Sequence, residues 1–76
     1  PDEIAEHAVP DEDPVWLPGL LHAAALVSSN SEGRRMLAQG AVKLDGSRLS
    51  EESVARAALP GAVLQVGKRR FVRLVE

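Results

Sequence analysis

The sequence predicts a small single α+β domain, on three observations. Ser29 and Glu32 stand at the S-x-x-E spacing that opens a helix, and Gly40 stands where that helix would stop. Asp45-Gly46 separates two short segments of alternating apolar and polar residues, a strong signal for a tight hairpin. The closing stretch then gives two apolar-rich runs, 62–66 and 69–75, around Gly67-Lys68. With 76 residues there is room for one domain only. Such a domain buries about 60% of the surface of its unfolded chain, so modest stability is expected.

The elements follow in order. Residues 1–14 hold three prolines and six acids with few large apolar groups, and read as an acidic linker; the domain proper is expected over 15–76. His7 falls in this linker with no ligand residues around it and is read as a solvated histidine. The first helix is expected to start at Pro18, with Trp16 and Leu21 as the N′ and N4 members of a hydrophobic staple. Leu17, Leu20, Leu21, Ala24 and Ala25 then form its apolar stripe. Trp16 is read as packing against the domain, and His22 receives no role.

In the second helix, Ser29 is expected to bond the amide three residues on, while Glu32 reaches back to the Ser29 amide. At 100° per residue, Gly33, Met36 and Leu37 share one face; Arg35 points away from it and Arg34 lies on the flank. Gly33 costs about 1 kcal/mol relative to alanine in a helix, which a close helix–helix approach would explain. The hairpin pairs 41–44 with 47–49 across a type I′ turn, putting Val42, Leu44 and Leu49 inward and making Lys43 and Arg48 direct neighbours outward. Residues 50–59 are ambiguous, with Ser50 a candidate cap and Pro60-Gly61 a stop. The last two strands are apolar on both faces, so their register stays open.

A net charge of −2 hides a strong asymmetry. Residues 1–33 carry seven acids and no Lys or Arg, whereas residues 34–76 carry nine bases against four acids. An acidic lead beside a basic body points to an anionic partner, since fields reach only about 8–10 Å in physiological salt. There is no cysteine, hence no disulfide framework or thiolate metal site. The longest apolar-rich run, 20–27, is far short of the ~20 residues a membrane helix requires. The acidic residues before it have the wrong sign for a signal peptide. No Ser/His/Asp set, metal-ligand cluster or phosphate-cradling glycine loop is visible. What remains is a set of cations on a compact scaffold: Arg34, Arg35, Lys43, Arg48, Lys68, Arg69, Arg70 and Arg73. The arginine fork suits phosphate because it donates two parallel hydrogen bonds. The bland alternative is a solvated basic face in which Arg35 pairs with Glu32 one turn back.

At these residues the chain resembles a family. SSNSEGRRMLAQGAVKLDG is similar to the core of the RNA-binding domain named after ribosomal small-subunit protein S-four. There a Ser-capped helix with an acid-small-Arg-Arg motif is followed by Gly, a short strand and a turn ending in Gly. Those positions are Ser29, Glu32, Gly33, Arg34, Arg35, Gly40, Val42, Lys43, Leu44, Asp45 and Gly46. The likeness covers most of residues 17–49. The closing stretch VLQVGKRRFVRLV resembles the C-terminal end of bacterial tyrosyl-tRNA synthetases, and the lead PDEI resembles the linker before that domain. Three positions depart from the pattern: Ala25 stands where glycine is frequent, Gly33 where alanine is usual, and Asp45 where asparagine is frequent.

The resemblance implies two short helices packed on one side of a small, mostly antiparallel sheet, with a basic surface for structured RNA. It implies the eight cations as RNA-binding residues and tRNA, specifically tRNA(Tyr), as partner, with no membrane association. No catalytic residue, cofactor or metal is expected in this fragment. The parent would be a cytoplasmic tyrosine–tRNA ligase using ATP and Mg, homodimeric through its catalytic domain. That this chain begins at Pro1 without an initiator methionine fits a piece of such a protein. Rival readings are the same module in a pseudouridine synthase or ribosome-associated protein, and a protein-interaction module with an acidic partner.

Overall fold

A computed structural model describes residues 4–76. Residues 1–3 of the expected linker lie outside the described residues. Two sheets and two helices enclose one core. The strands are β1 (Glu6–Ala8), β2 (Val15–Trp16), β3 (Val42–Leu44), β4 (Ser47–Arg48), β5 (Ser53–Val54), β6 (Val63–Val66) and β7 (Arg70–Val75). The helices are α1 (Leu17–Ala23) and α2 (Asn30–Ala38), with a 3-10 turn at Arg56–Ala58. The main sheet runs β1-β7-β6-β3-β4; only β1, parallel to β7, breaks its antiparallel order. β2 and β5 pair separately. This is the α+β domain with a mostly antiparallel sheet that the sequence predicts.

Leu17, Leu21, Leu37, Leu59, Leu64, Leu74, Val15 and Val42 are fully buried in a single apolar cluster. The register left open by the sequence is fixed by that cluster. Leu64 pairs with Val72 and with Leu44, and Val66 with Val42, so these side chains turn together toward the helices. Gln65, Phe71, Lys43 and Arg73 turn to the opposite, helix-free face. The hairpin of β3 and β4 stands as expected. Lys43 faces Arg48, and Asp45 (φ 51°) and Gly46 (φ 86°) give the two positive φ angles of a type I′ turn.

From Glu6 onward the segment expected as a linker is paired with the main sheet. β1 adds an edge strand to β7; Arg73 N–H donates to Ala5 O at 2.8 Å and Val9 N–H to Val75 O at 2.7 Å. Val9 is buried. Arg56 fastens the same segment: its Nε donates to Pro10 O at 2.9 Å, and its backbone N–H donates to an Asp13 carboxylate oxygen at 3.1 Å. Composition weighs side-chain burial, whereas an edge strand is held by backbone bonds that any non-proline residue supplies.

α1 starts one residue early. Trp16 is its N-cap, so the Trp16–Leu21 pair is not the N′–N4 staple. The Trp16 ring instead lies over Gly19, with Cε3 3.0 Å from where a Cβ there would stand. The helix also ends sooner than its apolar stripe. Ala25 N–H donates to His22 O at 3.0 Å and Leu26 N–H to Leu21 O at 2.9 Å, a Schellman closure with Ala25 at C′. Ala25 is accordingly exposed, not core, and holds φ 63°. That left-handed conformation costs an L-residue about 1–2 kcal/mol. Ala25→Gly is therefore expected to stabilise the domain by about 1 kcal/mol, raising Tm by roughly 4–8 °C. A lowered Tm in a thermal melt would show that the strain argument fails at this exposed site.

α2 is capped by Ser29, whose Oγ accepts from Glu32 N–H at 3.1 Å. The return arm differs from expectation: Glu32 accepts from the amide and hydroxyl of Ser28, at 2.6 and 3.0 Å, not from the Ser29 amide. Gly40 (φ 74°) closes the helix through Gly40 N–H to Leu37 O and Ala41 N–H to Met36 O. Gly33 is buried against α1, and a Cβ there would sit 3.1 Å from Pro18 Cα. The close approach explains the glycine. Residues 50–59 resolve into β5 and the 3-10 turn, and the last hairpin turns through three residues, 67–69, not two.

Candidate nucleic-acid interface

The eight candidate cations fall on two surfaces. The helix-free sheet face carries Lys43, Arg48 and Arg73. Lys43 sits opposite Arg48 on one side and Gln65 on the other, and Gln65 is opposite Phe71; these four residues form one row across four strands. In the next row Arg73 stands between Val63 and Glu6. Directly opposed like charges are mildly destabilising, a penalty that a bound anion between Lys43 and Arg48 would remove. Arg48 also leans toward the C-terminal end of α2. Its Cδ and Nε lie 3.1 and 3.2 Å from the Cβ position of Gly40, where a cation meets the negative end of the helix.

The second surface is built by α2 and the β6–β7 turn. Glu32 and Met36 form one wall of an open groove, and residues 66–70 form the other. Lys68 and Arg69 are exposed on the turn, as is Arg35 on the helix. Glu32 is the one acid among these cations. Its carboxyl is held below the usual carboxylate range, first by the Ser28 amide, then by the Ser28 hydroxyl, with smaller pulls from Arg70 and Arg35. It is therefore a fixed negative charge at neutral pH, committed to the cap.

Two candidate residues are partly occupied by the protein itself. Arg34 Nε lies 3.3 Å from Glu52 Oε2, both side chains about half exposed or more, a pair of small energetic weight. The bland expectation paired Arg35 with Glu32; the ion pair that forms is Arg34 with Glu52. Arg70 shares the helix-side face with its partner Val66, and its Nη1 donates to Leu26 O at 2.8 Å, tying the sheet end to the loop after α1. Among the described residues, Arg35, Lys43, Arg48, Lys68, Arg69 and Arg73 have no ion pair or side-chain hydrogen bond. Every one of these six is exposed.

Three roles escape the sequence. Arg56, the ninth cation, is a structural clasp. Asp45 holds its hairpin to β6: its N–H donates to Val63 O, and its carboxylate accepts from Val63 N–H, both at 2.9 Å. Phe71 is 40% exposed on the helix-free face, a placement visible only once the register is known. No cluster of His, Cys, Asp or Glu suited to a metal occurs among the described residues, and no helix there is long and apolar enough to cross a membrane.

No protein-family model matches the chain. Curated proteins do. It is 45% identical over 75 residues to a tyrosine–tRNA ligase of Desulfotalea psychrophila, covering 99% of this chain and 18% of that protein. It is 47% identical over 74 residues to the Moorella thermoacetica tyrosine–tRNA ligase, covering 97% of this chain and 18% of the relative. With the Geobacter sulfurreducens tyrosine–tRNA ligase it shares 49% identity over 75 residues, 97% of this chain and 19% of that one. The chain thus spans less than a fifth of the length of these relatives.

Proposed function

We propose, for a chain homologous over nearly its whole length to a segment of the tyrosine–tRNA ligases, that it is the C-terminal tRNA-binding domain of such an enzyme. The observation that carries the reading is a set of six exposed cations, without a partner among the described residues, displayed by a small α+β scaffold. Phosphate is the matching ligand, and A-form RNA offers phosphates and shape in place of a readable major groove. In this reading Arg35, Lys43, Arg48, Lys68, Arg69 and Arg73 contact phosphates, while Arg34 and Arg70 contribute with their remaining donors.

The domain then orients tRNA(Tyr) from outside the acceptor end, near the anticodon stem and long variable arm. Activation of tyrosine with ATP and Mg belongs to a catalytic domain elsewhere in a homodimeric cytoplasmic parent. The chain itself would hold RNA without transforming it. A competition experiment tests this. The 76-residue chain should retain labelled tRNA(Tyr) against an excess of DNA duplex of equal phosphate content, because in this reading recognition uses RNA shape as well as phosphate charge. Equal competition by the duplex would reduce the surface to a nonspecific polyanion binder. Preferential capture of an acidic protein over any tRNA would favour the protein-interaction reading.

A further inference from the structure

The one large aromatic ring on the sheet face has cations on two sides. Phe71 is 40% exposed at the second position of β7. Its direct cross-strand neighbour is Gln65, and the next residue along that row is Lys43, two strand spacings or about 10 Å away. Arg73 lies on the same face of the same strand, two residues or about 7 Å further on. The Gln65 amide is oriented by its Nε2, which donates to Gly67 O at 2.7 Å; among the described residues its Oε1 has no partner.

An exposed phenylalanine on its own needs no explanation. Here it has one exposed cation across the sheet and another along its own strand, both at nucleotide-scale distances, beside an amide acceptor with a defined direction. Trp16 and Ile4 are exposed to a similar degree, but the Trp16 ring packs on Gly19, and Ile4 is not aromatic. Unpaired bases stack on aromatic rings presented by an open sheet, with flanking cations taking the backbone.

We propose that Phe71 is a stacking platform for one unpaired RNA base, with Lys43 and Arg73 holding the phosphates on either side and Gln65 Oε1 accepting from the base edge. This rests on the RNA-binding reading above and adds a single-stranded subsite to it. Paired stems would meet the cations alone, and a loop or bulge nucleotide would meet the ring.

The test compares wild type with Phe71→Leu and Phe71→Trp, using two RNA probes: a blunt duplex and the same duplex with a short single-stranded overhang. Phe71→Leu is expected to weaken overhang binding about 5- to 150-fold, the range for losing one stacked base. Blunt-duplex affinity and the salt slope on both probes should stay at wild-type values. Phe71→Trp should retain overhang binding and show fluorescence quenching beyond that of Trp16 in wild type. If Phe71→Leu binds the overhang like wild type, or the added indole emission of Phe71→Trp does not respond to it, the stacking site is overturned while phosphate binding stands. Wild type that binds neither RNA in a salt-dependent way would remove the reading beneath it. A loss confined to association with another protein would assign the face to a protein contact, and also overturn the proposal.

Discussion

Leu37→Ala is expected to remove about 2–5 kcal/mol of stability. Leu37 is only 2% exposed and sits on the inner face of α2, so truncation leaves a cavity among side chains that cannot fully collapse. At about 0.05–0.15 kcal/mol per residue, a domain of this size holds roughly 4–11 kcal/mol in total. The loss is therefore a large share of the stability, and Tm should fall by about 10 °C or further. Because α2 also carries Arg35, RNA binding should decline at temperatures where the variant unfolds and persist below them. A shift under about 4 °C would mean that α2 does not seal the core.

The second large effect is on binding with the fold untouched. In Arg35→Glu, Lys68→Glu, Arg69→Glu, three exposed cations without partners among the described residues become acids beside Glu32. Exposed changes of this sort alter stability by about 0.5 kcal/mol or less each, so the triple variant should lose no more than about 1.5 kcal/mol and still unfold cooperatively. Binding to tRNA should fall steeply, since each lost phosphate contact forfeits its counterion release and each new acid repels the backbone. If the charge reversal unfolds the domain, those residues are structural and the phosphate assignment fails.

How far the sequence reveals this molecule depends on whether a feature is local. The α2 cap at Ser29, the stop at Gly40, the Asp45-Gly46 turn and the Lys43–Arg48 pairing are all legible, because each is set by residues within one turn or hairpin. The glycine at position 33 is legible as a close contact, though its partner Pro18 is not. What escapes is long-range or carried by backbone. β1 is held to β7 by main-chain bonds across most of the chain, so an acidic, proline-containing stretch passes for a linker. The last hairpin has apolar residues on both faces, and its register comes from packing against β3 and the helices. With the register hidden, Arg70 reads as one of a basic run, whereas it lies on the helix side and donates to Leu26 O; Phe71 has no assigned face, whereas the fold turns it outward. The basic residues are all identifiable, but their division between a sheet face and a helix-side groove is not.

The measurement that tests the account most directly is the salt dependence of tRNA binding by the unmodified chain. Six phosphate contacts at roughly 0.7–0.9 counterions each predict a log–log slope of about −4 to −5, and the triple charge reversal should bring it about 2–3 units closer to zero. A slope near zero for the wild-type chain, or an unchanged slope in the triple variant, would contradict a grip built from these cations.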